Sequence, residues 1–323
     1  MTTSRLTLAL DGALSLPEGR IAVFGPPPGF DLSALPREAV VVITRFFPDS
    51  EAWARAGFTV AQEPEGEFGT AIVSLPRAKD AARALIAEAC STAPLVIVDG
   101  QKHDGIDSIL KAVKKRHAPE SVLSKAHGKL FWLRDGVFSD WAAADREVDG
   151  FLTRPGVFSA DGPDKGSLAL IRVLPLLKGR VADLGAGWGF LARHILRSET
   201  VTQLDLIEAD AVALDCARRN ITDPRTAFHW ADATRFTPQA PYDAVISNPP
   251  FHVSRTGDPG LGQAFIAAAA RMLTPHGSFW MVANRHLPYE DALSHAFRKV
   301  EEAPGTTGFK VIHATQPRPR RAG

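Results

Sequence analysis

The sequence has few cysteines and no long hydrophobic run, and both shortages exclude classes of protein. Only Cys90 and Cys216 occur among its 323 residues, and neither has a CxxC or Cys/His ligand spacing. Such usage is typical of reduced thiols and argues against a bound zinc or other metal. The first residues lack the apolar segment of a signal peptide, and no uncharged apolar stretch reaches about 18 residues. We therefore expect a cytoplasmic monomer that uses neither a membrane nor a metal.

The sequence also lacks a large excess of charge of either sign. Its formal net charge of +1 argues against a strongly polycationic nucleic-acid binder, although a local basic face remains compatible with it. Two basic clusters are candidates for phosphate contacts, with a solvated helix face as the alternative for the first and a disordered tail for the second. Their members are Lys111, Lys114, Lys115 and Arg116, and Arg318, Arg320 and Arg321.

Short apolar runs alternate with helical patterns along the chain, which predicts parallel strands covered by helices on both faces. In the second half the predicted strands are 181–184, 204–207, Thr226–Trp230, Tyr242–Ser247, 278–283 and 309–314, and the last belongs to a terminal antiparallel pair. In the first half they are 20–24, 39–43, Thr70–Ser74 and 95–99. The length favours two domains, and a Gly- and Pro-rich segment predicts a boundary that separates 1–148 from 149–323.

A stiff polar tip, formed by Asn248, Pro249, Pro250 and Phe251, follows the predicted strand Tyr242–Ser247. Two prolines end the strand, and they keep their carbonyl acceptors while lacking N–H donors. Asn248 adds a side-chain acceptor, and Phe251 offers a face on which a flat ring can stack. The pattern indicates a site for a planar amino group. A turn that simply ends a strand is the alternative.

Three glycines, Gly185, Gly187 and Gly189, follow the predicted strand 181–184. They allow positive φ angles and the close approach of a ligand to the backbone. Their spacing differs from the GxGxxG of dinucleotide-binding turns. The carboxylate of Asp183, just before them, suits a cationic ligand end better than a phosphate. Tight packing of strand against helix is the alternative reason for the glycines.

Two more acids stand at the ends of the next predicted strands. Glu208 lies where such folds bind ribose hydroxyls, with a helix N-terminal acid as the alternative. Asp232 follows the third strand, where its carboxylate is placed to accept from an adenine amino group. Parallel strands end at one edge of a sheet, so Asp183, Glu208 and Asp232 are expected to converge on one crevice.

The order of these motifs resembles class I S-adenosylmethionine-dependent methyltransferases that modify amino groups. The tandem organisation extends the likeness to bacterial 16S ribosomal RNA guanine-N2 methyltransferases, and so do the segments 155–159, 164–167, 282–284 and 309–311. The resemblance implies two tandem doubly wound Rossmann-like domains of α/β class. The C-terminal one is expected to hold a seven-stranded, mostly parallel sheet with an antiparallel terminal strand.

The resemblance also implies S-adenosylmethionine as cofactor and ribosomal RNA or the small ribosomal subunit as partner. The tip Asn248, Pro249, Pro250 and Phe251 would hold the exocyclic N2 amine of a guanine and form the catalytic group. His252 is a possible proton relay, with a structural role as its alternative. The residues expected around the cofactor are Asp183, Gly185, Ala186, Gly187, Glu208, Ala209, Asp232, Ala233 and Asn248.

The first domain resembles the second in arrangement but carries different motifs. Three prolines fill its turn at 25–29 and remove N–H groups that an anion or a cofactor would need. Leu75 is expected where the second domain has Asn248. We therefore predict a degenerate copy without cofactor that aids RNA binding or folding.

Other functions remain open at the level of sequence. The same tetrapeptide fits a large-subunit ribosomal RNA guanine, the N6 of adenine or a protein glutamine amide. A noncatalytic RNA-binding or ribosome-assembly protein is the alternative from a different class, and it predicts missing acids, whereas the second half retains them.

Overall fold

The computed structural model describes residues 4–250, 259–304 and 306–319. The chain divides into two compact units, Met1–Asp145 and Arg146–Gly323. Each unit holds one seven-stranded sheet, and the second holds a two-stranded hairpin as well. Phe251, His252, Arg320 and Arg321, which the sequence singled out, lie outside the described residues.

The first unit is an α/β fold around a mostly parallel sheet. Its strands are β1 (Ile21–Phe24), β2 (Val40–Ile43), β3 (Thr59–Ala61), β4 (Thr70–Ser74), β5 (Leu95–Gln101), β6 (Ser121–Lys125) and β7 (Gly128–Arg134). Its helices are α1 (Arg5–Leu10), α2 (Phe47–Arg55), α3 (Lys79–Thr92) and α4 (Ile106–Lys114). The strands lie in the order β3-β2-β1-β4-β5-β7-β6, and β7 is antiparallel to both of its neighbours.

The second unit repeats this arrangement after the hairpin β8 (Arg146–Val148) and β9 (Phe151–Thr153). Its sheet strands are β10 (Gly179–Leu184), β11 (Val201–Glu208), β12 (Thr226–Trp230), β13 (Tyr242–Ser247), β14 (Leu273–Asn284), β15 (Phe297–Ala303) and β16 (Phe309–Pro317). Its helices are α5 (Lys165–Ile171), α6 (Phe190–Ile195), α7 (Ala211–Asn220), α8 (Pro259–Met272) and α9 (Glu290–Ala296). The strand order is β12-β11-β10-β13-β14-β16-β15, and β16 is antiparallel to β14 and β15.

The central strands are largely apolar because both faces of each sheet are covered. Along β10, Val181 faces one core, with Leu170 of α5, while Ala182 faces the other, with Phe265 of α8. All of these residues are buried. This two-sided burial accounts for continuous hydrophobic runs in place of the alternation typical of a half-exposed strand. No helix in the described ranges is both long enough and apolar enough to cross a bilayer.

The predicted fold class is confirmed, with differences at the edges of both sheets. Strands β4, β12 and β13 have the predicted bounds, and the terminal antiparallel pair is present. The strands β3, β6, β7 and β15 were not predicted. Most of β15 is exposed and charged, since an edge strand pairs on one side only and needs no apolar run.

Candidate active site

The carboxyl ends of four parallel strands form the candidate site. Strand β10 pairs with β11 on one side and with β13 on the other, and β11 pairs with β12. The Ser247 hydroxyl, at the end of β13, donates to the buried Leu184 carbonyl of β10 at 2.8 Å. The residues that follow these strands therefore lie along one edge of the sheet, as parallel topology requires.

Asp183 carries the most perturbed carboxylate of this edge. Its side chain is fully buried, and neither carboxylate oxygen has a hydrogen-bond partner among the described residues. Burial, with repulsion from Glu208 as the second cause, raises the pKa of Asp183 to about 8. A buried carboxylate without partners costs free energy, which a cation or a hydrogen-bond donor of a ligand would offset.

The glycines of the turn after β10 serve two different purposes, ligand space and helix packing. Gly185, Gly187 and Gly189 have φ angles of 73°, 55° and 92°, in the left-handed region. A Cβ added to Gly187 would meet no atom of the described residues within 4 Å, so this position faces open space. A Cβ at Gly189 would lie 3.0 Å from Ile221, just beyond α7. Packing accounts for Gly189, while Gly187 leaves room for a ligand.

Glu208, at the end of β11, is hydrogen-bonded to the glycine turn. Its Oε2 accepts from the Gly187 N–H at 2.8 Å, and its Oε1 accepts from the Asp210 N–H at 2.9 Å. Burial raises the pKa of Glu208. The N-cap of α7 is Asp210, which accepts from the N–H groups of Val212 and Ala213. The helix therefore has its own capping acid, so capping α7 does not account for Glu208.

Asp232 begins a tight turn after β12. Its Oδ1 accepts from both the N–H and the hydroxyl of Thr234, at 2.8 and 2.6 Å. The next residue, Ala233, is buried. The Trp230 indole donates to the Ala209 carbonyl at 2.8 Å and joins the ends of β12 and β11. Asp232, Ala233 and Ala209 thus belong to the same edge.

Asn248 is held by residues far away in the sequence. Its Nδ2 donates to Oδ2 of Asp164 and to Oγ of Ser167, both at 2.9 Å. Asp164 is also the N-cap of α5. Pro249 is buried and Pro250 is exposed. Sequence reasoning noted the segment 164–167 only as a family likeness. An Asp that precedes a helix was the available signal, and it indicates capping only.

The structure brings most of the predicted site residues together at this one edge. The described members are Asp183, Gly185, Ala186, Gly187, Glu208, Ala209, Asp232, Ala233, Asn248, Pro249 and Pro250. No group of three or more His, Cys, Asp or Glu side chains in the described ranges is placed to hold a metal ion.

The shared topology aligns the first unit with the second. In each sheet the glycine after the first strand donates to a carbonyl near the end of the neighbouring parallel strand: Gly25 to Ile43 of β2, and Gly185 to Ile207 of β11, both at 2.9 Å. These matched bonds make Gly25 the counterpart of Gly185. Val23 then aligns with Asp183, so an apolar side chain replaces the buried acid.

The same register locates the counterpart of Asn248. Val73 of β4 and Ser247 of β13 each pair with the residue that precedes the aligned glycine. The next residues, Ser74 and Asn248, therefore correspond. The expectation that Leu75 takes this position is wrong by one residue, because the sequence match ignored strand register. The first unit still lacks an Asn there.

The basic cluster of the first unit is partly committed to internal contacts. Lys111, Lys114 and Lys115 are exposed, while the opposite face of α4 is buried. Arg116 instead pairs with Asp140 at 2.6 Å. The lysines remain available for phosphate, whereas Arg116 is tied to its own unit.

In the second basic cluster, Arg318 is the only described member. Its Nε donates to the carbonyls of Ser294 and Phe297 at 3.1 and 3.2 Å. These bonds fix the side chain against the end of α9, so Arg318 belongs to the folded unit.

Residues 149–313 match the family model of the methyltransferase small domain. A ribosomal RNA small subunit methyltransferase C from Shewanella sp. (strain MR-4) is 31% identical over 290 residues, and the match covers 83% of each chain. The protein of the same name from Hahella chejuensis is 27% identical over 326 residues, with 92% of this chain and 94% of the relative covered.

A solved structure shares the fold over nearly the whole chain. It is the T. thermophilus 16S rRNA N2 G1207 methyltransferase in complex with AdoMet and guanosine. The TM-score is 0.78 at 22% identity, with 97% of this chain and 92% of that chain covered. The two α/β units therefore share their fold with this structure.

Proposed function

We propose that this chain, which belongs to the methyltransferase small domain family, methylates the exocyclic N2 amine of a guanine in small-subunit ribosomal RNA. One observation carries the chemistry: the buried carboxylate of Asp183, which has no partner among the described residues, and the held amide of Asn248 lie at the carboxyl ends of neighbouring strands, β10 and β13. The names of the relatives support the choice of substrate. No described feature of the site favours adenine or glutamine over guanine.

The residues at the strand ends fit S-adenosylmethionine. The Asp183 carboxylate, which no described residue satisfies, suits an ammonium group, and the open space at Gly187 admits a ligand against the backbone. We assign Glu208 with Ala209 to the ribose and Asp232 with Ala233 to the adenine. The turn residues assigned to the cofactor are Gly185, Ala186 and Gly187, and Asn248 borders both ligands. When bound, S-adenosylmethionine supplies a methyl group activated by its sulfonium.

The acceptor tip orients the substrate amine. The Oδ1 of Asn248 and the carbonyl of Pro249 accept from the two N–H groups of the amine, while Phe251 provides a stacking face. These bonds draw the nitrogen lone pair out of conjugation with the guanine ring and raise its nucleophilicity. Fixing the amine in a near-attack position contributes on the order of 7–11 kcal/mol. Asn248 and Pro249 act as acceptors only, since the methylated nitrogen becomes acidic and loses its proton to solvent.

The target guanine has to be unpaired or turned out of its stack to reach such a tip. An amine inside a duplex is engaged in base pairing and cannot meet acceptors on a folded strand end. Incubation with labelled S-adenosylmethionine and ribosomal RNA, or small subunits, from a strain lacking this gene tests the assignment. Nucleoside analysis should give N2-methylguanosine in the small-subunit RNA. Labelled N6-methyladenosine, or label confined to large-subunit RNA or to protein, would contradict it.

We propose further that the first unit binds no cofactor and contributes to RNA binding or folding. Val23 stands in place of Asp183, and prolines fill the turn that follows β1. Calorimetric titration of the full chain with S-adenosylmethionine should give one site per chain. Asp183→Asn should weaken that single site and leave no residual tight binding, whereas two tight sites would overturn this assignment.

A further inference from the structure

We propose that Asp164 and Ser167 are positioning residues that orient the side-chain amide of Asn248, so that its Oδ1 faces the substrate amine. This role rests on the proposed function of Asn248 as the acceptor in methyl transfer. Asp164 lies 84 residues before Asn248 in the sequence, and the two meet only in the folded unit. Neither Asp164 nor Ser167 has to touch the substrate.

The hydrogen bonds of Asn248 determine which end of its amide is left for a ligand. An amide nitrogen has two N–H donors, and the two acceptors at 2.9 Å occupy both. The amide is planar, so Oδ1 projects away from Asp164 and Ser167. An amide turned by 180° would set Oδ1 against the Asp164 carboxylate, where two acceptors face each other and no bond forms. The carboxylate therefore selects one orientation.

The carboxylate of Asp164 is itself held in place. Its Oδ2 accepts from the N–H groups of Gly166 and Ser167 at 2.8 and 3.1 Å, which caps α5. A Cβ at Gly166 would lie 2.8 Å from this oxygen and 3.2 Å from the Phe309 ring, so only glycine allows the close approach. Helix α5 also packs against β14 and β16. The Asn248 amide is thus oriented by a rigid element.

The charge of Asp164 also strengthens the acceptor. A carboxylate that accepts from Nδ2 polarises the amide, and chains of hydrogen bonds reinforce each other inside a protein. The Oδ1 of Asn248 then carries more negative charge than it would beside a neutral partner. Asp164 would therefore contribute through orientation and through polarisation, and suitable variants can separate these two contributions.

Three variants isolate the contact with Asn248 from the helix cap. Asp164→Ser keeps an N-cap residue but is too short to reach Asn248. Ser167→Ala removes one acceptor and leaves the cap carboxylate in place. Asp164→Asn keeps shape and cap while it removes the charge. We expect kcat to fall about tenfold in the first two variants and less in Asp164→Asn, with the Kd for S-adenosylmethionine and the Tm little changed.

A double-mutant cycle with Asn248→Ala distinguishes positioning from general structural support. If Asp164 and Ser167 act through Asn248, then Asp164→Ser and Ser167→Ala should cost little further activity once Asn248 is Ala. Single-turnover transfer of labelled methyl groups measures the residual rates. The positioning role would be overturned if Asp164→Ser and Ser167→Ala lowered the rate tenfold both with Asn248 and with Ala at this position. It would also be overturned if they lowered no rate in the protein that keeps Asn248. If Asp164→Ser does not fold, Ser167→Ala carries the test.

The cycle also separates this inference from the proposed function. Near-normal turnover of Asn248→Ala would refute the role of Asn248 itself, and with it the role of its two partners. A large loss in Asn248→Ala together with unaffected Asp164→Ser and Ser167→Ala would refute the positioning role alone.

Discussion

Asp183 and Glu208 lie near the carboxyl ends of neighbouring parallel strands, and the charge of Glu208 adds to burial in raising the pKa of Asp183 to about 8. The fold thus keeps an acid that costs stability when it ionises. Such a cost is typical of a ligand site, where binding groups are placed for the ligand and not for the free protein.

Asp183→Asn is expected to weaken cofactor binding and to change how stability depends on pH. Losing a hydrogen bond to a charged group costs about 1.5–3 kcal/mol, so the Kd for S-adenosylmethionine should rise more than tenfold. The raised pKa means that the folded state holds a proton that the unfolded state releases between about pH 4 and pH 8. The contribution of Asp183 to stability is therefore present at low pH and lost as pH rises towards 8.

Urea unfolding of the cofactor-free protein at pH 5 and pH 8 measures this effect. The free energy of unfolding of the variant minus that of the parent should be larger at pH 8 than at pH 5. The increase should be up to about 1.4 kcal/mol per pH unit. Comparing the two values cancels any constant cost of burying the new amide. An identical difference at both pH values would show that Asp183 does not titrate in this range.

Gly187→Ala and Gly189→Ala should differ in what they damage. Both residues have positive φ, so each Ala costs about 1–2 kcal/mol of backbone strain. The Gly189 Cβ would also press on Ile221 at 3.0 Å, and the Tm should fall more in this variant. The Gly187 Cβ enters open space, and there it should mainly lower affinity for S-adenosylmethionine. Thermal unfolding measures the Tm of each variant, and calorimetry measures its affinity for S-adenosylmethionine. If both variants showed the same ratio of affinity loss to Tm loss, the two glycines would not have different roles.

Asn248→Ala should reduce kcat by roughly 10²–10³, the usual cost of losing a transition-state hydrogen-bond partner. The Kd for S-adenosylmethionine should change by much less, because Asp183, Glu208 and Asp232 remain. Methylation of small-subunit RNA under saturating cofactor measures kcat, and the unchanged Tm serves as the control for folding. Turnover within a few fold of the parent would remove Asn248 from the catalytic group.

The exposed lysines of α4 should contribute to RNA affinity through charge. Replacing Lys111 and Lys114 with Ala should reduce the slope of log K against log salt by about 0.7–0.9 for each phosphate that the variant no longer neutralises. Lys178→Ala is the matched control, since this exposed lysine precedes β10 at the edge of the sheet opposite the site. RNA binding measured over a range of salt concentrations decides the outcome. Equal slopes for all three proteins would leave α4 as a solvated face.

Much of the second unit could be predicted from local patterns. Strand β13 has the predicted bounds because a strand buried on both faces is mostly apolar, and Asp243 is the one exposed residue of this strand. The order of the motifs predicted the methyltransferase family, which the match over 149–313 confirms. Strand β15 could not be predicted in this way, because an exposed edge strand leaves no hydrophobic pattern in the sequence.

The sequence by itself determined the positions of the buried central strands, the residue types near their ends and the family, because these depend on local periodicity and on motif order. Only the tertiary structure decided that Asp183 has no partner among the described residues, that Asp164 and Ser167 hold Asn248, and that Ser74 is the counterpart of Asn248 in the first unit. Burial, long-range hydrogen bonds and strand register arise from contacts between distant residues, and such contacts exist only once the sheet has formed.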